Sequence, residues 1–275
     1  MGKTAISWTD YTDNPIFLSR GATGGNGGHW CRKISPGCAN CYAEAVNQSG
    51  FFAFASHRPY TGEAPDDLFF DEAIPKAWSK KRRPAKRFVC SMTDLCGEWV
   101  PRSWQYAVLD AAVTAPSQTI QLLTKRPGIA LRATMDWCRL NNRDRLPTNV
   151  WLGCTVEDQT CANVRREFME RLAEYCAVVW ASYEPALERV NWQGWEFLSW
   201  LVIGGESGPK ARPFDLDWAE QAITWCRSNK VAPFMKQTGS RPTRGGLTFQ
   251  VTAKGTDPNE WPEPLQVQQF PTLEG

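Results

Sequence analysis

No stretch of this 275-residue chain approaches the roughly 20 consecutive apolar residues that a membrane-spanning helix requires. The first residues, Met-Gly-Lys-Thr-Ala-Ile-Ser-Trp, also lack the apolar centre of a secretory signal. A soluble, cytoplasmic, monomeric chain with no membrane partner is therefore expected. The formal net charge of +2 is too small to name a partner. Most of the cysteines lack the spacing of a disulfide framework. Cys90, Cys96, Cys138, Cys154, Cys161, Cys176 and Cys226 are scattered among apolar neighbours and read as small core residues in a reducing compartment. The glycine-rich segment 21–28 lacks the Lys-Ser/Thr pair and the strand–turn–helix setting of a phosphate cradle, so it reads as a flexible loop. The most telling absence is a fourth cysteine near Cys31, Cys38 and Cys41.

Those three cysteines follow the spacing C-x6-C-x2-C. Three grouped thiolates can hold three irons of a [4Fe–4S] cluster and leave the fourth iron open, whereas electron-transfer clusters usually take four protein ligands. His29 with the same three cysteines would instead make a Cys3His set suited to structural zinc. Three unliganded thiols are the plainest alternative. Spacing alone leaves all three open.

The rest of the chain has a rhythm. Apolar runs at 87–94, 119–126, 149–157, 177–184, 200–207 and 232–237 alternate with helical periodicity at 42–55, 103–114, 127–140, 159–175 and 217–228. A strand at 4–8 precedes the cysteines. In the helix at 159–175 the apolar stripe runs through Cys161, Val164, Phe168 and Leu172. Strands and helices in alternation predict an α/β fold with a parallel sheet, and a partial or closed (β/α) barrel in preference to a doubly wound sheet. One barrel domain over 1–252, with the cysteine loop at 29–41, is followed by a tail at 253–275 that wraps the surface or frays. The runs end in Asp94, in Lys125 and Arg126, in Glu157, in Glu184, in Glu206, and in Lys236 and Gln237. Barrel active sites form at the C-terminal ends of the strands, so these residues are expected at one mouth. The alternative is a set of ion pairs that closes the barrel. The basic run at 80–87 suits phosphates, or is a solvated loop. The Trp residues, 14 in all, read mainly as core, with one or two available to a flat ligand.

The text Ser35-Pro-Gly-Cys38-Ala-Asn-Cys41-Tyr-Ala-Glu resembles the phage Gp37/Gp68-type family of radical S-adenosylmethionine-like proteins. The similarity extends through Leu123-Thr-Lys-Arg-Pro127, Val150-Trp-Leu-Gly153, Ser182-Tyr-Glu-Pro185, Ile203-Gly-Gly-Glu-Ser-Gly208, Ala211-Arg-Pro213 and Phe234-Met-Lys-Gln237. The resemblance implies a barrel of the radical S-adenosylmethionine type, a [4Fe–4S] cluster on Cys31, Cys38 and Cys41, and S-adenosylmethionine as second cofactor. Asn40, Tyr42, Ser91, Thr93, Asp94, Gly204, Gly205, Glu206 and Ser207 are the expected cofactor-binding residues. Lys125, Arg126, Glu157, Glu184 and Lys236 are the expected catalytic ones. The implied activity is formation of a 5′-deoxyadenosyl radical, used by an isomerase or lyase on a modified thymine or other pyrimidine in phage DNA. It would draw electrons from a reductase or flavodoxin-type donor in the host cytoplasm. A zinc-stabilised nucleic-acid-binding module, or a radical enzyme acting on a small molecule or peptide, are the competing readings. The sequence departs from common radical enzymes in two places. Six residues separate the first two cysteines, as in the Gp37/Gp68-type family, and the Gly-Gly-Glu run falls on a late strand. Relative to that family, Asp13-Asn-Pro15 stands far from Cys31 because of the glycine-rich insertion.

Overall fold

The computed structural model describes residues 2–19, 27–49, 56 and 58–272. Most of the glycine-rich loop and the second half of the helix expected over 42–55 lie outside the described residues. The chain divides into two compact units, Met1–Trp151 and Leu152–Gly275.

In the first unit, β1 (Gly2–Lys3) pairs antiparallel with β2 (Tyr11–Asp13). A hairpin-like pair, β3 (Ile16–Leu18) and β4 (Leu68–Phe70), stands apart. Helix α1 (Tyr42–Gln48) follows the third cysteine, and α2 (Ala73–Lys76) precedes β5 (Ala85–Val89). Then come α3 (Arg102–Val113), β6 (Gln118–Thr124) and α4 (Pro127–Leu140). β5 lies parallel to β2, with Thr12 opposite Phe88, and parallel to β6, with Arg87 opposite Ile120. Proline at the first position of α4 costs no hydrogen bond, because that N–H has no helical partner anyway. β7 (Val150–Thr155) spans the boundary.

The second unit holds α5 (Gln159–Ala173), β8 (Val178–Tyr183), β9 (Trp200–Gly204), β10 (Phe214–Asp215), α6 (Leu216–Ser228), β11 (Ala232–Gln237), β12 (Pro242–Arg244) and β13 (Leu247–Thr248). β8, β9 and β11 run parallel, with Trp200 opposite both Trp180 and Ala232. Asp158 caps α5 by accepting from the Cys161 N–H at 2.7 Å, and Asp215 caps α6 through Asp217 N–H at 3.0 Å. The strand order is β1-β2-β5-β6 in the first unit and β8-β9-β11 in the second. Within neither unit does it double back, as a doubly wound sheet would. The mixed α/β fold with mostly parallel strands agrees with the sequence pattern. No helix among the described residues is long and apolar enough to cross a membrane.

Three expectations shift. Residues 4–8 form no strand and end in a turn: Trp8 is buried against the Phe88 ring at 4.9 Å, and β2 pairs with β5 instead. The buried face of α5 carries Cys161, Arg165, Met169 and Leu172, while Val164 is exposed. Arg165 turns inward because Glu157 is there to receive it, and this rotates the helix. The tail does not fray within the described residues. Trp261 and Leu265 are buried, Val267 accepts from Met235 N–H at 2.8 Å, and the Trp200 indole donates to Gln269 at 2.9 Å. The tail thus covers the free edge of β11, which would otherwise expose unpaired backbone.

The seven scattered cysteines are all buried and free, as small core residues should be. One buried polar set organises the first unit. Asp13, fully buried, accepts from the Trp78 indole at 2.8 Å and from Arg87 at 2.9 Å, while Arg87 also donates to Gln118 at 2.8 Å and stacks over Tyr11. Asp13→Asn leaves the Arg87 charge buried without its counter-ion, and urea unfolding should register a loss of about 3 kcal/mol.

Candidate functional site

The cysteine loop has little regular structure. It takes a single 3-10 turn at Pro36–Cys38, and Cys41 then caps α1. Burial and hydrogen bonding give each thiol a distinct character. Burial opposes ionisation of Cys38, but the Lys125 charge, the backbone N–H groups of Ile34 and Ser35 and the Ser35 hydroxyl outweigh it, and its pKa falls. Burial raises Cys41 despite the N–H groups of Ala43 and Glu44, which point at its sulfur from the first turn of α1. Cys31 is raised furthest, by burial and then by the Asp94 carboxylate. Cys38 and Cys41 add to the rise at Cys31, so the three sulfurs are electrostatic neighbours. Cys31 and Cys41 also pack against the same buried cluster of Ala43, Tyr60 and Met92.

Around them the strand ends of β5 and β6 build a wall. β5 stops short of the expected 87–94 run, because Cys90 takes a left-handed φ of 62°. A non-glycine residue there is strained, and such strain persists only where the surroundings enforce it. The bend sends Ser91, Met92, Thr93 and Asp94 toward the cysteines. Thr93 donates to the Trp30 carbonyl at 2.7 Å, Tyr42 donates to the Ser91 carbonyl at 2.8 Å, and Tyr60 donates to the Met92 carbonyl at 2.8 Å. Asn14 pairs with the Ser91 hydroxyl at 3.0 Å and accepts from Met92 N–H at 3.0 Å. The Asp13-Asn-Pro15 segment therefore supports this wall from below.

Asp94 is saturated. One oxygen accepts from Thr124 at 2.7 Å and Cys96 N–H at 2.9 Å, the other from Lys125 N–H and Arg126, both at 3.1 Å. Arg126 continues outward to Glu98 at 2.9 Å and to the Arg32 carbonyl at 3.1 Å, with its guanidinium 4.7 Å from the Trp99 ring centre. Burial alone would raise the Glu98 carboxyl, but its own backbone N–H and the Arg126 charge hold it below the usual range. The structure thus brings together Cys31, Cys38, Cys41, Tyr42, Ser91, Thr93, Asp94, Lys125 and Arg126. Asn40 sits half-buried between the second and third cysteines. Tyr60, Glu98, Trp99, Arg32 and Thr124 complete the wall. Thr124 lay inside the Leu123–Pro127 match, but nothing in the sequence marked the other four, because each acts through a partner distant along the chain.

To hold a metal group this donor set would have to be thiolate. N–H groups aimed at Cys38 and Cys41 and a lysine charge beside them favour that state, while burial opposes it at Cys31 and Cys41. Among the described residues no three His, Cys, Asp or Glu side chains converge as a single ion requires. The His29 ring is buried with Nδ1 2.8 Å from the Ile16 carbonyl, and burial lowers its pKa. Arg126→Lys keeps the charge but loses the fork that reaches Glu98 and Arg32. Proteolysis and amide exchange at 31–33 should accelerate, with a lower thermal midpoint.

The remaining candidates lie in the second unit. Glu184, after β8, receives Ser182 at 3.2 Å and Lys236 at 2.9 Å. Gly204 makes room for it: a Cβ there would lie 2.6 Å from the Glu184 Oε1. Gly205 lets the chain pass Thr238, whose carbonyl oxygen would lie 2.3 Å from a Cβ. Glu206 is held by Arg212 in a two-pronged pair at 2.6 and 3.0 Å and by the Arg212 N–H at 2.9 Å. Ser207 is half-buried beside it. Glu157 is fully buried against Arg165 at 2.5 Å. Four of the expected site residues, Glu157, Glu184, Glu206 and Lys236, thus take part in ion pairs within this unit. Gly205→Ala should cost about 1–3 kcal/mol in chemical unfolding, since backbone must yield to fit the methyl group.

No curated protein and no solved structure matches the chain. Residues 3–261 match the family described as Protein of unknown function (DUF5131), and the chain belongs to that family.

Proposed function

We propose that this protein is a radical S-adenosylmethionine enzyme of the (β/α)-barrel class, with a [4Fe–4S] cluster held by Cys31, Cys38 and Cys41. The observation that carries this reading is the set of three neighbouring thiols, two of them met by backbone N–H groups, with Lys125 beside them and a rigid strand-end wall behind. When bound, such a cluster supplies the electron that cleaves the sulfonium of S-adenosylmethionine. The chain's own residues bind, orient and exclude water. Arg126 clamps the cysteine loop at Arg32, Tyr60 and Met92 shield the inner face of Cys31 and Cys41, and Trp30 and Trp99 close the side at a ring separation of 4.9 Å. Lys125 offers a cation to an acidic group of cofactor or substrate. Ser91, Thr93 and Tyr42 give the cofactor side a polar lining.

The substrate proposed is a modified thymine or other pyrimidine in DNA, rearranged or cleaved by an isomerase or lyase reaction. A reductase or flavodoxin-type protein would deliver electrons. Support comes from the family resemblance and from the basic run at 80–87. A base in duplex DNA must be extruded to reach any such site.

Anaerobically purified protein should be brown and carry about four irons per chain. Cys38→Ser should lose the colour and most of the iron while keeping its circular dichroism spectrum. One zinc and no iron in metal analysis would overturn the proposal in favour of a zinc-stabilised module.

A further inference from the structure

The basic run lies at the wrong end of β5 to serve the thiols directly. Its exposed part, Lys80–Arg83, precedes the strand, whereas Ser91–Asp94 follow it. The five residues of β5 separate the two by roughly 16 Å at ~3.3 Å per residue. There it forms one wall of an open cleft of about 700 Å3, lined also by Lys3, Thr9, Asp10 and Tyr11.

This wall is not a frayed loop. Trp78, wholly buried and bonded to Asp13, fixes its start and accepts the Lys81 N–H at 2.9 Å. The buried amide of Gln118 donates to the carbonyls of Lys81 at 3.2 Å and Arg83 at 2.8 Å, and Ser117 donates to Lys81 at 2.9 Å. With its carbonyls turned inward, the segment is pinned while its side chains remain exposed. Among the described residues, Lys3, Lys80, Lys81, Arg82 and Arg83 have no ion-pair partner. The one acid of the cleft, Asp10, lies 3.7 Å from the Lys86 ammonium. Some exposed cations elsewhere, such as Arg58, Lys76 and Arg244, do find carboxylates. Unpaired cations held close together on a pinned segment repel one another, and a polyanion relieves that repulsion.

We infer that this cleft is a docking site for the phosphate backbone of a nucleic acid, acting apart from the cysteine site. The cleft is open and its cations follow one another along the chain, which suits a line of phosphates better than a single enclosed one. Contacts to phosphates carry no sequence information, so binding through these cations is expected to ignore sequence. The inference rests on the cleft and not on the cluster.

The test is fluorescence anisotropy with an unmodified labelled duplex, on iron-loaded and iron-free protein, across a salt series. Each phosphate contact contributes about −0.9 to the slope of log affinity against log salt. Both forms should bind alike, with a slope near −4. The K80Q/K81Q/R82Q/R83Q variant should flatten that slope by roughly 3 and keep its thermal midpoint. An unchanged slope in the variant would overturn the inference. So would binding only to phosphatidylserine vesicles, displacement of the duplex by millimolar inorganic phosphate at constant ionic strength, or a marked difference between the two iron states. Failure of the protein to take up iron at all, with duplex binding intact, would remove the cluster reading and leave this one standing.

Discussion

The ion pair between Asp94 and Arg126 is the contact on which the first unit's chemistry depends. Both groups are buried, and every oxygen of the carboxylate is used. A buried pair of this kind adds little net stability over an apolar substitute, since desolvation offsets the attraction. Its value lies in registration. It ties the segment after β5 to the segment after β6, and through the Arg32 carbonyl it fixes the start of the cysteine loop. A loop with one 3-10 turn could not place three sulfurs by its own backbone hydrogen bonds.

The second unit solves a related problem with charge pairs and glycines together. Glu206 with Arg212, Glu184 with Lys236 and Glu157 with Arg165 each neutralise a carboxylate at or near a strand end. The glycines at 204 and 205 let those carboxylates and the β11 backbone come close. The same residue types that suggest ligand binding thus also have work in packing. Glu184 and Lys236 remain partly open to solvent, while Glu157 is sealed.

Periodicity made the architecture legible. Helices α3, α4 and α6 and the central strands fall within a few residues of the apolar pattern, because burial of one face dictates it. Where the pattern misled, a tertiary contact had taken over. Trp8 reads as part of a strand, yet it folds back onto Phe88. Val164 reads as core, yet Arg165 claims the inner face for Glu157. The strand-end residues were recognisable as polar groups following apolar runs. Their partners were not, since nothing local connects Arg126 to Glu98 or Arg212 to Glu206 as a fork. Tyr60 carried no motif at all and is visible only through its contact with Met92. The basic run was plain in the sequence, but its position at the opposite end of β5 from the cysteines required the fold.

The left-handed turn at Cys90 has a consequence for how binding energy is spent. A strained residue held by its surroundings cannot relax when a ligand arrives, so the segment 91–94 presents a fixed surface. Ordering on binding must then fall to the cysteine loop, whose backbone has few internal bonds. For the cofactors proposed above, affinity would be set less by new contacts with the wall than by how little freedom the loop still has to lose.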